Sequence, residues 1–323
     1  MCTAISITGE RALFGRTLDL ELSYGESVVI TPSRFPLGFE GSSSAPTHHA
    51  IIGTAHVEDG YPLYYDAMNS AGLCAAALNF PKCAVYHAEK NDAKNLAAFE
   101  LIPYILSTCD SIAGARERLK KINITKRAFS ASLPTTPLHW IFSDASGAIV
   151  AEPQEDGLRI YDDPFGVLTN SPEFSYHATR CADLMHLDAR PPQNSAFRGV
   201  PLERYSRGMG AIGLPGDLSS ASRFIRAAFV KEHTLLGDDA DEINRFFHVI
   251  GAVSQPNGCA LTENGAPIRT LYSSCADARS LTYYFTTYGS HRIRAVRMSA
   301  ESSSGDTLTA FPMCSREDIL YLN

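Results

Sequence analysis

Two β-sheets packed between layers of helix, within one α+β domain, is the architecture the sequence predicts, and three observations carry it. Strand patterns occupy both ends of the chain, helical periodicity falls in two blocks between them, and no repeat, low-complexity tract or linker divides the 323 residues. The composition is globular, 45% apolar with 20% charged, so the domain is expected to run over 1–323 as one unit. No stretch approaches the roughly 18 uninterrupted apolar residues of a membrane span, and a soluble protein is expected.

Residues 2–8 alternate polar and apolar, Gly9-Glu10 supplies a turn, and 12–19 returns as the hairpin partner, which sets Cys2 at a strand end. A Gly/Ser/Pro-rich loop over 32–46 precedes two apolar runs, 51–55 and 72–80, the second long enough for a central strand buried on both faces. Residues 96–108 are apolar nearly all round and predict a helix kinked at Pro103, after which Asp110 caps a helix over 111–121. Strands are expected at 138–143, 148–152, 158–162 and 167–169. The stretch 172–216 is rich in Pro, Gly and Arg, and an irregular segment of that length marks an active-site element or an oligomer contact. Ser219 or Ser220 caps a helix with Ala221, Phe224, Ile225, Ala228 and Phe229 at helical spacing, and 240–253 forms another. Strands at 271–274, 281–288 and 293–298 close the chain.

A net charge of −7 argues against nucleic acid or an anionic membrane as partner, since both need a basic face. The eight cysteines (2, 74, 83, 109, 181, 259, 275, 314) form no Cys-x-x-Cys pair and no zinc-like spacing, so reduced thiols are expected. The N-terminus shows neither a basic leader nor an apolar core region, which predicts a cytoplasmic location.

The residue that points furthest toward chemistry is Cys2. Trimming Met1 would leave a thiol nucleophile and an α-amine on one residue, and an α-amine with its reference pKa of about 7.7–8.0 shuttles protons near neutrality. The other reading is a small apolar residue that starts a strand. Arg16 and Asp19, on the strand paired with the first, suit that thiol and amine: a guanidinium favours the thiolate, and a carboxylate accepts from the amine. They equally suit a surface ion pair. Asn79 ends the run 73–78, where a buried amide needs a partner; it is either an oxyanion donor, worth about 3–4 kcal/mol in such a role, or a strand-end turn cap. Asn170, before Ser171-Pro172, also reads as turn chemistry. Arg223 falls opposite the Phe224/Ile225/Phe229 stripe on a helical wheel and so reads as solvated. His139 and His248 flank apolar segments and read as core or boundary histidines.

Six segments in order, Met1-Cys2-Thr3, Phe14-Gly15-Arg16-Thr17-Leu18-Asp19, Ala77-Leu78-Asn79-Phe80-Pro81, Pro137-Leu138-His139-Trp140, Gly166-Val167-Leu168-Thr169-Asn170-Ser171-Pro172, and Gly213-Leu214-Pro215-Gly216-Asp217 with Ser222-Arg223-Phe224, resemble the choloylglycine hydrolase family. That family comprises conjugated bile salt hydrolases and penicillin V acylases, and the resemblance spans nearly the whole chain. It implies an N-terminal nucleophile hydrolase with the αββα four-layer sandwich, active once Met1 is removed, with no metal or cofactor. By resemblance, Cys2 is nucleophile and base, Asp19 holds the amine, Arg16 lies on the thiol side, Asn79 and Asn170 serve the oxyanion site, and Arg223 completes the polar network. Asn79 is similar to the bile salt hydrolases, where penicillin V acylases commonly carry tyrosine. Leu18, Tyr24, Tyr65, Phe129 and Leu133 then form an apolar wall for a steroid. The expected activity is cleavage of the amide joining a bile acid to glycine or taurine, with acyl transfer to amino acids as a second activity. Penicillin V or another N-acyl amide is the alternative substrate, and a catalytically silent bile-acid-binding protein the alternative of another class. A homotetramer is implied by resemblance, with 172–216 as candidate contact.

Overall fold

A computed structural model of the protein describes residues 1–323 except 10, 40, 42–44 and 236–238. The expected Gly9-Glu10 turn and part of the 32–46 loop therefore lie outside the described residues. In chain order the strands and helices are β1 (Cys2–Ile7), β2 (Leu13–Leu20), β3 (Ser27–Thr31), β4 (Ile51–Glu58), β5 (Tyr61–Asn69), β6 (Cys74–Asn79), β7 (Lys94–Ala97), α1 (Leu101–Thr108), α2 (Ile112–Leu119) and β8 (Ile122–Thr125). They continue as β9 (Leu138–Asp144), β10 (Gly147–Gln154), β11 (Gly157–Asp162), β12 (Val167–Leu168), α3 (Phe174–Arg180), α4 (Ser220–His233), α5 (Asp239–Gly251), β13 (Ala260–Leu261), β14 (Pro267–Asp277), β15 (Thr282–Thr287), β16 (Ser290–Arg297), α6 (Ala300–Ser303) and β17 (Thr309–Pro312).

One sheet runs β12-β1-β2-β14-β15-β16, with β13 beside β14; the other runs β11-β10-β9-β6-β5-β4-β3-β17. They lie face to face. Cys74, Ala76, Leu78, Ile141 and Val150 of the second sheet share a core with Ala4, Ile5, Phe14 and Tyr272 of the first, and Phe224, Ala227, Phe246 and Val249 of α4 and α5 join that cluster. Alternate residues of the same strands, Ala75, Ala77, Trp140, Phe142, Ile149 and Ala151, turn to the opposite face and pack on Leu101, Ile102, Ile105, Ala115 and Leu119 of α1 and α2. The layers are thus α, β, β, α, the sandwich the sequence implies. Central strands buried on both faces explain the unbroken apolar run that ends at Asn79.

Several local expectations need correction. The predicted helix over 96–108 is divided: β7 ends at Ala97, a short 3-10 turn covers Ala98–Glu100, and α1 begins at Leu101. Pro103 therefore sits in the first turn, where an N–H has no intrahelical partner to lose, and causes no kink. The cap of α2 is Ser111, whose Oγ accepts from the Gly114 N–H at 3.4 Å, while Asp110 accepts from the Ser111 hydroxyl. The stretch 172–216 contains α3 and short 3-10 turns. His248 lies exposed on α5, whereas His139 is fully buried as expected.

Gly15 shows how tightly α5 is seated. A Cβ there would fall 1.9 Å from the Ser274 carbonyl oxygen and 2.9 Å from a ring carbon of Phe246. Backbone cannot yield as a side-chain tip can, so Gly15→Ala is expected to cost about 3 kcal/mol or more, read as a lowered Tm.

Candidate active site

The hairpin register sets Cys2 opposite Leu18 and Ala4 opposite Arg16, so the start of β1 lies alongside the charged end of β2. Met1 extends this ladder by one residue: its terminal ammonium donates to the Asp19 carbonyl at 2.6 Å, and its carbonyl accepts from the Asp19 N–H at 2.9 Å. The Cys2 nitrogen is consequently a peptide N–H here, standing in for the α-amine that Met1 removal would create. It donates to Asn170 Oδ1 at 2.8 Å.

Asn170 is held from both ends. Its Oδ1 also accepts Arg223 Nη2 at 2.7 Å, and its Nδ2 donates to the Asn79 carbonyl at 2.8 Å. Ser219 proves to be the α4 cap, which leaves Ser220 Oγ to accept the Asn170 N–H at 2.8 Å. His177, buried on α3, donates from Nε2 to the Asn170 carbonyl at 2.8 Å, and burial lowers its pKa. The Asn-Ser-Pro turn signal was therefore incomplete, because it says nothing about what the asparagine side chain meets.

Arg223 corrects the wheel reading outright: it is fully buried. Standing in the first turn of α4, it reaches the start of β1 and donates to the carbonyl of Cys2 at 2.5 Å, Thr3 Oγ1 at 2.6 Å and, through Nε, the Leu218 carbonyl at 3.0 Å. A wheel counts apolar neighbours and is blind to a cluster of buried acceptors. Burial lowers the Arg223 pKa, and Asp19 and Cys2 oppose that shift.

Arg16 and Asp19 are likewise buried, which rules out a surface ion pair. Arg16 donates through Nη1 to the carbonyls of Tyr65 at 3.0 Å and Ala77 at 2.5 Å, and through Nε to that of Thr17 at 3.1 Å. Burial works against its charge, but Cys2, Tyr272, Asp66 and Asp19 outweigh that and raise its pKa. The Asp19 carboxylate accepts from Thr270 Oγ1 at 2.7 Å, Thr17 Oγ1 at 3.1 Å and Gln255 Nε2 at 3.2 Å. Burial pushes its pKa up, against Arg223 and the terminal ammonium, which pull it down.

Cys2 opens onto a cavity of about 290 Å³ whose walls include Leu18, Tyr24, Tyr65, Phe129 and Leu133, together with Arg16 and Asn79. All five residues expected on an apolar wall are there, with Tyr24 half exposed at the rim. Asn79 is partly buried with its side chain on the cavity wall, so the desolvation argument for a hidden amide does not apply to it. Sequence reasoning missed Phe99, Arg127 and Trp140 on the same wall, and the Thr270 and Gln255 donors to Asp19. Trp140 was legible only as one of a motif, and Gln255 carries no local signal. Among the described residues no group of three or more His, Cys, Asp or Glu is placed to hold a metal ion, and no helix is long and apolar enough to cross a membrane.

The chain is 42% identical, over the full length of both, to the bile salt hydrolase/transferase of Lactiplantibacillus plantarum. Its fold superposes on a mutant of the conjugated bile acid hydrolase from Clostridium perfringens with a TM-score of 0.92 and 31% identity, covering both chains entirely. Penicillin V acylase from Agrobacterium tumefaciens shares the fold, with a TM-score of 0.74 at 21% identity over 96% of this chain and 90% of that one. Residues 2–309 match the model of the linear amide C–N hydrolases of the choloylglycine hydrolase family, and the chain belongs to that family.

Proposed function

We propose that this protein hydrolyses the amide joining a bile acid to glycine or taurine, with Cys2 as nucleophile once Met1 is removed. The observation that carries the reading is the juxtaposition at Cys2: a sulfur beside the Arg16 guanidinium, a nitrogen held by Asn170 Oδ1 at 2.8 Å, and an apolar cavity at the same point. The full-length identity to a bile salt hydrolase/transferase supports the substrate class.

The thiol passes its proton to the α-amine, and the thiolate attacks the amide carbonyl carbon. Asn79 donates to the resulting oxyanion, while Arg16 favours the negative charge on the sulfur side. As the C–N bond breaks, the ammonium protonates the departing nitrogen, leaving a thioester on Cys2 and the neutral amine. Water then cleaves the thioester and regenerates the thiol. An amino acid that intercepts the thioester instead takes the acyl group, so the same site transfers as well as hydrolyses. Asp19 and Asn170 orient the amine, and Arg223 ties Asn170 to the start of β1. Leu18, Tyr65, Phe129 and Leu133 enclose the steroid, with Tyr24 at the entrance.

The assembly is a homotetramer in this reading. Phe197, Val200, Leu202 and Tyr205, all exposed within 172–216, support that stretch as the contact.

The test pairs intact mass with turnover. A chain lacking Met1 is expected to release taurine and glycine from taurocholate and glycocholate with a kcat/KM at least about tenfold above that for penicillin V, a gap of about 1.4 kcal/mol in transition-state stabilisation. A processed chain that favours penicillin V would refute the substrate class. Bile-salt binding without turnover would refute the enzyme reading altogether.

A further inference from the structure

Asp66, on β5, is a buried carboxylate that the mechanism above does not use. Its Oδ1 accepts from Tyr272 Oη at 2.5 Å, and its Oδ2 from Tyr283 Oη at 2.6 Å and Ser274 Oγ at 2.8 Å, so three hydroxyl donors from the facing sheet converge on it. A carboxylate 1% exposed needs such donors to keep its charge.

Its surroundings lead to Arg16. Ser274 Oγ, while donating to Asp66, accepts the Arg16 backbone N–H at 3.1 Å. The Tyr65 carbonyl, one residue before Asp66, accepts Arg16 Nη1 at 3.0 Å. Among the described residues Arg16 Nη2 has no hydrogen-bond partner and the Nε and Nη1 bonds go to carbonyls, so no carboxylate there grips the guanidinium directly and its charge is balanced across a gap. Burial pushes Asp66 up, and Arg16 is the strongest influence pulling it back.

We propose, on the reading that Cys2 is the nucleophile, that Asp66 is a positioning residue of the hydrolysis: it ties Arg16 to the facing sheet and limits how much of the Arg16 positive charge acts on the Cys2 sulfur. The charged groups that act on Cys2 are Arg16 from β2 and Arg223 from α4, and Asp19 from β2 in turn acts on both arginines. The groups that face Asp66 are Arg16 from β2, Tyr272 from β14, Tyr283 from β15 and Cys74 from β6. With the thiol protonated, two buried arginines meet two buried carboxylates. Deleting the Asp66 charge leaves Arg16 less opposed, which favours the thiolate.

The experiment is the pH dependence of Cys2 alkylation by iodoacetamide, followed by peptide mapping in the mature protein. Asp66→Asn is expected to move the midpoint down by about one pH unit, and to lower kcat for taurocholate about tenfold with KM within about twofold. A carboxylate with a merely structural role would lower Tm and leave the midpoint in place; an unmoved or raised midpoint overturns the proposal. Should Asp66→Asn fail to fold, Tyr283→Phe removes one donor from the carboxylate, so it is expected to shift the midpoint in the same direction by less, and no shift again overturns it. Cys2→Ala separates the two levels. If that variant still hydrolyses taurocholate, the nucleophile assignment fails, and the Asp66 proposal with it; if it does not, an unmoved midpoint defeats only the role of Asp66.

Discussion

Cys2→Ala is expected to lower kcat for taurocholate by at least about 10⁴-fold while shifting Tm by no more than a few degrees. The two effects separate because of where the sulfur sits. Cys2 belongs to the core cluster but also borders the cavity, so removing its one sulfur atom costs about 1 kcal/mol, roughly 2 °C for a chain of this size. The α-amine, Asn170 and Arg223 all remain, yet none of them can form the covalent acyl intermediate. Steady-state kinetics and a thermal melt on the same preparation check both halves, with intact mass showing that Met1 is absent from variant and parent alike. Residual turnover above about 1% would mean that another group attacks the carbonyl.

Arg223→Met should injure folding and turnover together. The guanidinium donates to Leu218, Cys2, Thr3 and Asn170, which lie on three separate segments, and a methionine of similar length leaves all four acceptors buried without that donor. Breaking a buried charged network from one side typically costs about 3–5 kcal/mol. Turnover is expected to fall about 10²–10³-fold, because Asn170 loses one of the two donors that fix its Oδ1 against the Cys2 nitrogen.

The pH dependence has a definite sign. Asp19 already has its pKa raised by burial, and Arg223 is the strongest group pulling it back, so the variant raises it further. A carboxyl whose folded pKa exceeds its unfolded one contributes stability below the ordinary carboxylate range and loses it as pH rises through the folded value. The Tm gap between parent and variant should therefore widen as pH rises above the ordinary carboxylate range. A constant gap would show that Asp19 does not sense Arg223.

Much of the layering was legible because the sheets alternate cleanly. Apolar runs such as 72–80 are what strands look like when one face meets a second sheet and the other meets helices, and Phe224 and Ile225 marked α4 by spacing alone. The parallel pair β7–β8 was not legible, since Leu96 and Ala97 continue smoothly into the apolar helix α1 and periodicity cannot split a short run. The site divides the same way. Cys2, Arg16 and Asp19 are joined by one hairpin, so local register brings them together. Asn170 and Arg223 arrive from 168 and 221 residues away along the chain, and only motif resemblance placed them. Gln255, Thr270 and Asp66 belong to no motif, and their function in the network comes entirely from packing.

The β5–β6 hairpin fixes where the chain can change length. Asn69 accepts the N–H groups of Ala71 and Leu73 at 3.0 Å and bolts the turn to the end of α1 through the carbonyls of Leu106 and Cys109. One residue inserted between Asn69 and Cys74 would slip β6 along β9, carry Asn79 to the other face and set Leu78 in its place on the cavity wall. The stretch 172–216, largely free of sheet pairing, has no such register to lose. Across the family, gains and losses of residues should therefore gather there, while the four residues of the hairpin keep a fixed count.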